Sequence, residues 1–198
     1  VDVAARVDNR GTKARGPYQY FTSVSINNVA RWHESWTLST AGAFQFSELQ
    51  YWMLSYRQVL TAEGLAVFFN ENFSRSRPGT ETLQLLDYKT RGDLFEGGLS
   101  YPFIRSRERN WVGTALFFMS NDRSDILDAL NTLDRLRGVR MKSDADFVDP
   151  LRGINQINLV LSQGFDGLGS SAAGSANLSR ANGRPDFTKF EATFSRLQ

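Results

Sequence analysis

Alternation of apolar and polar side chains is the dominant pattern of this chain, and it is clearest between Phe95 and Tyr101. Apolar and aromatic residues occupy most of the odd positions there, while Glu96, Gly98 and Ser100 occupy the even ones. A period of two is typical of a β-strand whose two faces meet different surroundings. This stretch therefore predicts a strand with one apolar and one polar face.

A polar turn and a second strand follow. The segment 104–110 contains three arginines and one glutamate, so we expect it to lie in water. Trp111 then begins an apolar strand that includes Phe117, Phe118 and Met119. An aromatic residue at the junction of a polar turn and an apolar strand is typical of a membrane interface. The hairpin as a whole favours a strand that crosses a membrane.

The same alternation recurs along the chain and predicts about ten strands, most of them long enough to cross a tilted bilayer. They fall in the segments 1–8, 18–26, 36–46, 52–57, 65–74, 95–101, 111–119, 139–147, 156–165 and 189–195. Segments 75–87 and 122–137 are predicted as longer loops. Ile126, Leu130 and Leu133 have helical spacing, which predicts a short helix within the second loop. Short and long connections often alternate, as in outer-membrane barrels.

The predicted fold class is all-β, an antiparallel transmembrane β-barrel, with residues 1–198 forming one barrel segment. A soluble β-sandwich that acts as a binding module is the alternative, since its strands also alternate. Three features favour the barrel. Many charges and amides share one face, aromatic residues cluster at the strand ends, and the strands exceed the usual length of about five or six residues.

Composition removes several function classes. The chain has 23 basic and 21 acidic residues, which are mixed along the sequence and leave a net charge of +2, so nucleic acid is not an expected partner. No stretch approaches the roughly 18 apolar residues of a membrane helix. The absence of cysteine excludes disulfides, thiolate catalysis and cysteine-based zinc sites.

The remaining chemistry does not favour an enzyme or a cofactor. The single histidine, His33, lies in a short polar connection, where metal binding or Ser-His-Asp catalysis would need it inside a cleft. Gly167 and Gly169 fit part of a dinucleotide fingerprint, but the helix that this motif requires is not predicted in the glycine-rich segment that follows. We therefore expect no enzymatic activity, no cofactor and no metal.

Short motifs in the same order resemble the two-partner secretion transporters, the TpsB-type exporters of haemolysins and filamentous haemagglutinin. The motifs are Asp8-Asn-Arg-Gly11 with Gly16, Gly98-Leu-Ser-Tyr-Pro102, Ile104-Arg-Ser-Arg107 with Asn110, Ser162-Gln-Gly164-Phe-Asp-Gly167, and Ser179-Arg180 with Gly183 and Asp186-Phe187. They span nearly the whole chain. Each is short, so their order carries more weight than any one of them.

The resemblance implies an outer-membrane barrel of about sixteen strands, preceded by periplasmic POTRA domains, that exports an unfolded partner exoprotein to the cell surface. Tyr101, Pro102, Arg105 and Arg107 would then form a periplasmic hairpin. Both ends of the sequence lie within strand patterns, so we expect a segment that lacks the POTRA domains and the last barrel strands. A complete small barrel that acts as an adhesin or enzyme is the other alternative. We expect the segment alone not to close, since unpaired strand edges are not tolerated in lipid.

The polar face of such a barrel is its lumen, and eight charged residues are candidates for the lumen and the substrate path. They are Arg57, Glu96, Arg140, Lys142, Asp144, Asp146, Lys189 and Glu191. Mixed charges on this face keep a pore wet or hold a plug by ion pairs. The sequence leaves both interpretations open.

Overall fold

The fold is one antiparallel sheet of ten strands, described over residues 1–198 by a computed structural model. The strands are β1 (Asp2–Asp8), β2 (Gln19–Asn27), β3 (Glu34–Ala43), β4 (Leu49–Val59), β5 (Ala66–Ser76), β6 (Lys89–Arg105), β7 (Arg109–Ile126), β8 (Ala129–Val148), β9 (Ile154–Gly164) and β10 (Thr188–Leu197). One short helix, α1 (Glu81–Leu85), lies between β5 and β6. The predicted all-β class and the number of strands are confirmed.

The sheet is an open meander. Each strand pairs with the strands before and after it in the sequence, and β1 and β10 form its two edges. No helix of this chain is both long enough and apolar enough to cross a membrane.

The connections fall at two ends. The turn end carries residues 28–33, 60–65, 106–108 and 149–153, and the long-loop end carries residues 9–18, 44–48, 77–88, 127–128 and 165–187. The predicted alternation of short and long connections is only partly correct, because the β3–β4 and β7–β8 connections at the long-loop end are short.

The prediction of a loop with a helix at 122–137 is wrong. Strands β7 and β8 continue to a tight turn at Leu127 and Asp128, whose φ angles of 51° and 60° are both positive, as in the favoured hairpin turns. Cross-strand bonds stabilise the extension, including the 2.6 Å hydrogen bond between the hydroxyls of Ser124 and Thr132. A short helix is marginal on its own, whereas β7 also pairs here with β6 as far as Asp125, so the extension adds to an existing sheet.

The arginine-rich turn is shorter than the predicted 104–110. Ser106 closes it, because its backbone N–H donates to the carbonyl of Arg109 at 2.9 Å and its hydroxyl accepts from the backbone N–H of Arg109 at 3.0 Å. Ile104 consequently belongs to β6 and Asn110 to β7. Only residues 106–108 form the connection.

The two faces of the sheet differ in composition and in exposure. The face that carries Glu96 and Arg140 is called the polar face here, and the opposite one, with Met141 and Phe190, the apolar face. Met141 and Phe190 are 62% and 65% exposed, whereas Phe118 on the polar face is 3% exposed. Side chains crowd on the inside of a curved sheet and spread on its outside, so we infer that the sheet curves toward the polar face.

Glu71 is a charged residue near the middle of the apolar face, which also carries Asp93 and, near the long-loop end, Arg75, Arg91 and Arg123. It is exposed in the middle of β5, between Phe69 and Phe73, and stands opposite Leu54 and Phe95 of the neighbouring strands. The Glu71 carboxylate therefore lies mainly among apolar side chains, with Asp93 nearby on β6.

Candidate functional site

All eight charged candidates lie on the polar face. Strand pairing places Glu96 opposite Phe118, and it places Arg140 opposite Leu116 and Ser162. Directly opposed residues share a face. The strand pairings place the other six candidates on the same face: Arg57, Lys142, Asp144, Asp146, Lys189 and Glu191.

An ion pair between β6 and β8 lies at the centre of this face. Arg140 Nη1 is 2.7 Å from Glu96 Oε1, and the bond crosses over β7. Arg140 also donates from Nε to the Ser162 hydroxyl at 3.1 Å, and its guanidinium lies 4.8 Å from the centre of the Phe118 ring. The two charged side chains are only 27% and 15% exposed. Four strands, β6 to β9, are thus tied together by one arginine.

Two glycines make room for this cluster. A Cβ at Gly138 would lie 2.6 Å from the Phe118 ring, so the ring can cover β8 only because that position has no side chain. A Cβ at Gly98 would lie 2.2 Å from the carbonyl oxygen of Ala115 and 2.6 Å from the Leu116 Cβ. The close approach of the Phe118 ring to β8, and of β6 to β7 at Leu116, therefore requires glycine at both positions.

The other charged candidates are held less firmly. Lys189 and Glu191 form a 3.0 Å ion pair, but their side chains are 58% and 52% exposed. Asp146 accepts a 2.9 Å hydrogen bond from Asn110, and Asp144 accepts one from Asn158. Arg57 and Lys142 do not belong to any of the eight salt bridges.

This pattern bears on the two roles that the sequence leaves open for the charges. Glu96 and Arg140 neutralise each other, which is the ion-pairing role. Lys142 forms no salt bridge, and Asp144 and Asp146 accept hydrogen bonds from amides, so their charges are not neutralised.

Sequence reasoning missed the uncharged part of the site. Phe118 lies in the run Phe117-Phe118-Met119, where both faces of β7 are apolar and alternation cannot assign a side. Hydroxyl pairs continue the polar face toward β2 and β3, with Ser23–Ser39 at 2.9 Å and Ser25–Thr37 at 2.8 Å. Alternation within each strand indicated which side these hydroxyls take, but their partners depend on the register between strands.

The hairpin β6–β7 places Tyr101, Pro102, Arg105 and Arg107 at the turn end. The register shifts between Pro102 and Ile104, and this irregularity lies next to a proline that cannot donate to the ladder. It brings Phe103 between Tyr101 and Trp111, with ring centres 5.2 and 4.7 Å away. Arg105 and Arg107 are exposed and form no salt bridge.

A second aromatic cluster lies toward the same end. Trp36 and Tyr56 have ring centres 4.4 Å apart, and Tyr56 stacks on Phe69 at 4.9 Å. All three lie on the apolar face. Two aromatic clusters therefore border the exposed apolar surface near the turn end.

Asp149 fixes the β8–β9 turn. Its carboxylate accepts from Asn155 Nδ2 at 3.0 Å and from the backbone N–H groups of Gly153 and Leu151 at 3.0 and 2.9 Å, and it lies 2.7 Å from Arg196 of β10. The hydrogen bond from Asn155, followed by that from Gly153, lowers the pKa of Asp149 below its ordinary value, with a smaller contribution from Arg196.

Arg137 is the largest omission of the sequence-based prediction, which placed it in a loop. It is 7% exposed in β8 and donates to the carbonyls of Ser120 at 3.1 Å and Leu168 at 3.2 Å and to Asn121 Oδ1 at 2.9 Å. It thereby joins β7 to the loop 165–187. The same loop bonds the edge of β8, for example from Ser171 N–H to the carbonyl of Arg135 at 2.9 Å.

Two solved structures have a similar fold. CdiB from Escherichia coli superposes on 98% of this chain with a TM-score of 0.77 and 18% identity, and CdiB from Acinetobacter baumannii on 82% with a TM-score of 0.58 and 15% identity. The matched parts are 36% and 31% of those proteins, so this chain spans about a third of their length. No family model and no curated protein sequence matches. The similarity confirms the motif-based resemblance at the level of the fold.

Proposed function

We propose that this chain forms part of the wall of an outer-membrane β-barrel that exports an unfolded partner protein to the cell surface. The observation that carries the proposal is the continuous ten-stranded sheet, charged on one face and exposed and apolar on the other. Its similarity to CdiB over nearly its whole length supports the proposal, since CdiB is a TpsB-type transporter. The ordered motifs of the sequence resemble the same type of protein.

The apolar face is suited to lipid. Large side chains such as Leu38, Met141 and Phe190 are exposed there, and the two aromatic clusters border them near the turn end. An exposed apolar surface of this extent is costly in water, and aromatic girdles are typical of membrane interfaces. The turn end would face the periplasm and the long-loop end the cell exterior.

The edges of the sheet support completion by further strands. β1 and β10 each leave one row of backbone groups without a strand partner. In a bilayer such groups have no water to bond, so a spanning sheet must be closed. We propose that strands outside this chain close a larger barrel, and that periplasmic domains of the POTRA type deliver the partner to its turn end.

The polar face would line the export path. Arg57 and Lys142 have no ion-pair partner and can contact a passing chain, whereas Glu96 and Arg140 hold the wall in shape. An exoprotein of the haemolysin or adhesin class is the proposed cargo, because those are the partners of the family that the motifs resemble. Export of this kind requires no catalytic residue and no cofactor in this wall.

Cysteine labelling tests the two faces. In the full-length protein, with any other cysteine replaced, Lys142→Cys should react with a membrane-impermeant aqueous maleimide and Met141→Cys with a lipid-phase one. The two positions are adjacent in β8 and form a matched pair. The opposite labelling pattern, or aqueous labelling at both sites, would refute the membrane-spanning sheet.

Crosslinking tests the cargo. A photoreactive side chain at Lys142 should crosslink to the partner exoprotein during its secretion, and one at Met141 should not. Crosslinking at neither position, with secretion intact, would exclude this wall from the export path while leaving the labelling result unaffected.

A further inference from the structure

Three arginines stand side by side on the apolar face near the long-loop end. Arg75 of β5 is directly opposite Arg91 of β6, and Arg91 is directly opposite Arg123 of β7. Like charges in directly opposed positions destabilise a sheet. Negative charge from a neighbouring group is therefore needed to offset the repulsion between these arginines.

The protein supplies only part of that charge. Arg123 is paired with Asp125 at 2.7 Å, and Lys89 lies between Asp87 at 2.6 Å and Asp128 at 2.5 Å. Arg75, Arg77 and Arg91 are absent from all eight salt bridges of the chain. Arg91 also makes no side-chain hydrogen bond within the protein. Three guanidinium groups are left without an acid partner.

These groups surround a cavity of about 270 Å³ at the ends of β4, β5 and β6. Its lining combines cations with hydroxyl and amide groups and a single hydrophobic residue: Phe46, Ser47, Gln50, Arg75, Ser76, Arg77, Lys89, Thr90 and Arg91. Guanidinium groups form paired, charge-assisted hydrogen bonds with phosphate oxygens. The lining offers many donors and no carboxylate.

The position of the row points to a lipid as the source of the phosphate. One row closer to the middle of the sheet lie Trp52, which is 43% exposed, and Phe73, both on the apolar face. The guanidinium of Arg75 lies 5.0 Å from the centre of the Phe73 ring. An arginine beside aromatic side chains at the edge of an apolar surface is typical of the boundary between acyl chains and headgroups. Asp93 is directly opposite Phe73 on this face. Its single negative charge does not offset the three positive charges of Arg75, Arg77 and Arg91.

We propose that Arg75, Arg77 and Arg91 bind the phosphate groups of a phosphorylated lipid headgroup in the leaflet on the long-loop side. The acyl chains of that lipid would lie along Trp52 and Phe73. This inference rests on the proposed membrane placement and adds a lipid class to it. The bound lipid would neutralise the arginine row and stabilise the ends of β5 and β6.

The test uses the full-length protein in phosphatidylcholine nanodiscs that contain either bisphosphorylated or dephosphorylated lipid A. Native mass spectrometry gives the apparent dissociation constant of each lipid. We expect the phosphorylated form to bind at least about tenfold more tightly, and Arg75→Gln/Arg91→Gln to remove that preference. Arg105→Gln/Arg107→Gln, which removes two exposed arginines at the turn end, is the matched control and should retain it.

Arg91→Gln alone is the second variant, since Arg91 has no protein partner whose loss would impair folding. Equal affinity for both lipids, or an unchanged preference in both Arg91 variants, would overturn the proposal. Inorganic phosphate that displaces the lipid at a concentration no higher than the lipid's own dissociation constant would overturn the assignment to a lipid headgroup. Failure of the protein to enter nanodiscs would refute the membrane placement itself, which the cysteine labelling reports separately.

Discussion

The Glu96–Arg140 ion pair gives the most direct test of how the polar face is held together. Arg140→Met removes the charge-assisted bond to Glu96, the hydrogen bond to Ser162 and the contact with Phe118, while keeping an unbranched apolar stem. Glu96→Gln removes only the negative charge, because the amide oxygen can still accept from Arg140. The two variants therefore separate the charge from the other contacts.

The magnitudes follow from the exposure of the two groups. A charge-assisted hydrogen bond contributes about 1.5–3 kcal/mol and a neutral one about 1 kcal/mol. The contact with an aromatic ring adds about 0.5–1 kcal/mol at a partly exposed site. Since both side chains are mostly buried, Arg140→Met should lower the free energy of unfolding by about 3–5 kcal/mol and Glu96→Gln by about 0.5–2 kcal/mol.

The assay is a double-mutant cycle, read from urea unfolding of the full-length protein in lipid vesicles. The double variant should be less destabilised than the sum of the single variants by about 1–2 kcal/mol, because each single variant already breaks the pair. The exposed pair Lys189–Glu191 is the matched control, with an expected coupling of about 0.5 kcal/mol or less. Additive effects at Glu96 and Arg140 within about 0.3 kcal/mol would refute the reasoning.

Three further predictions concern the turn at Asp149, the glycine at 138 and the Glu71 carboxylate. Because hydrogen bonds lower the pKa of Asp149 in the folded state, its contribution to stability is present above its ordinary pKa of about 4 and is lost as the pH falls through the lowered value. Asp149→Asn should therefore be less stable than the parent at pH 7, and pH-dependent unfolding should show the difference vanish in acid; a constant difference would contradict this. Gly138→Ala should cost about 1–3 kcal/mol in urea unfolding because its Cβ would lie 2.6 Å from both the Gln163 carbonyl oxygen and the Phe118 ring; Phe118→Leu in the same protein should recover the part of the loss that is due to the ring, whereas no recovery would exclude the ring as a cause. Glu71→Leu should stabilise the protein in vesicles by about 1–2 kcal/mol, since the proposed membrane placement puts this carboxylate against lipid, and Leu54→Gln, a polar change on the adjacent strand, should do the reverse; a destabilised Glu71→Leu would mean that this carboxylate has a partner.

The sequence by itself determined the number of strands and the faces of their central segments. A strand has a period of two, so the position of each side chain follows from counting along it, without knowledge of its neighbours. This is why Arg57, Glu96, Arg140 and Lys189, which lie far apart in the sequence, were all assigned to one face and lie on one face in the structure. Their role in an export path stays a prediction.

The ends of the strands were harder to predict. Segment 122–137 is rich in polar residues, and its alternation is too weak to indicate a strand, yet it pairs across a two-residue turn. Whether such a segment extends depends on the partner strand that meets it, because the backbone hydrogen bonds carry the stability. The role of Arg137, at the end of this segment, could not be predicted either, because its partners come from β7 and from the loop 165–187.

Only the tertiary structure decided which residues of a face meet. Glu96 and Arg140 are 44 positions apart, and the row Arg75, Arg91 and Arg123 comes from three strands. Alternation gives the face on which each residue lies but not which residue stands opposite it on the next strand. A shift of two residues in one strand would leave every side chain on its face while changing its cross-strand neighbours. All the turns and ladders together set the register between strands. That register therefore decides that Glu96 meets Arg140 at the centre of the polar face and that three arginines stand side by side near the long-loop end.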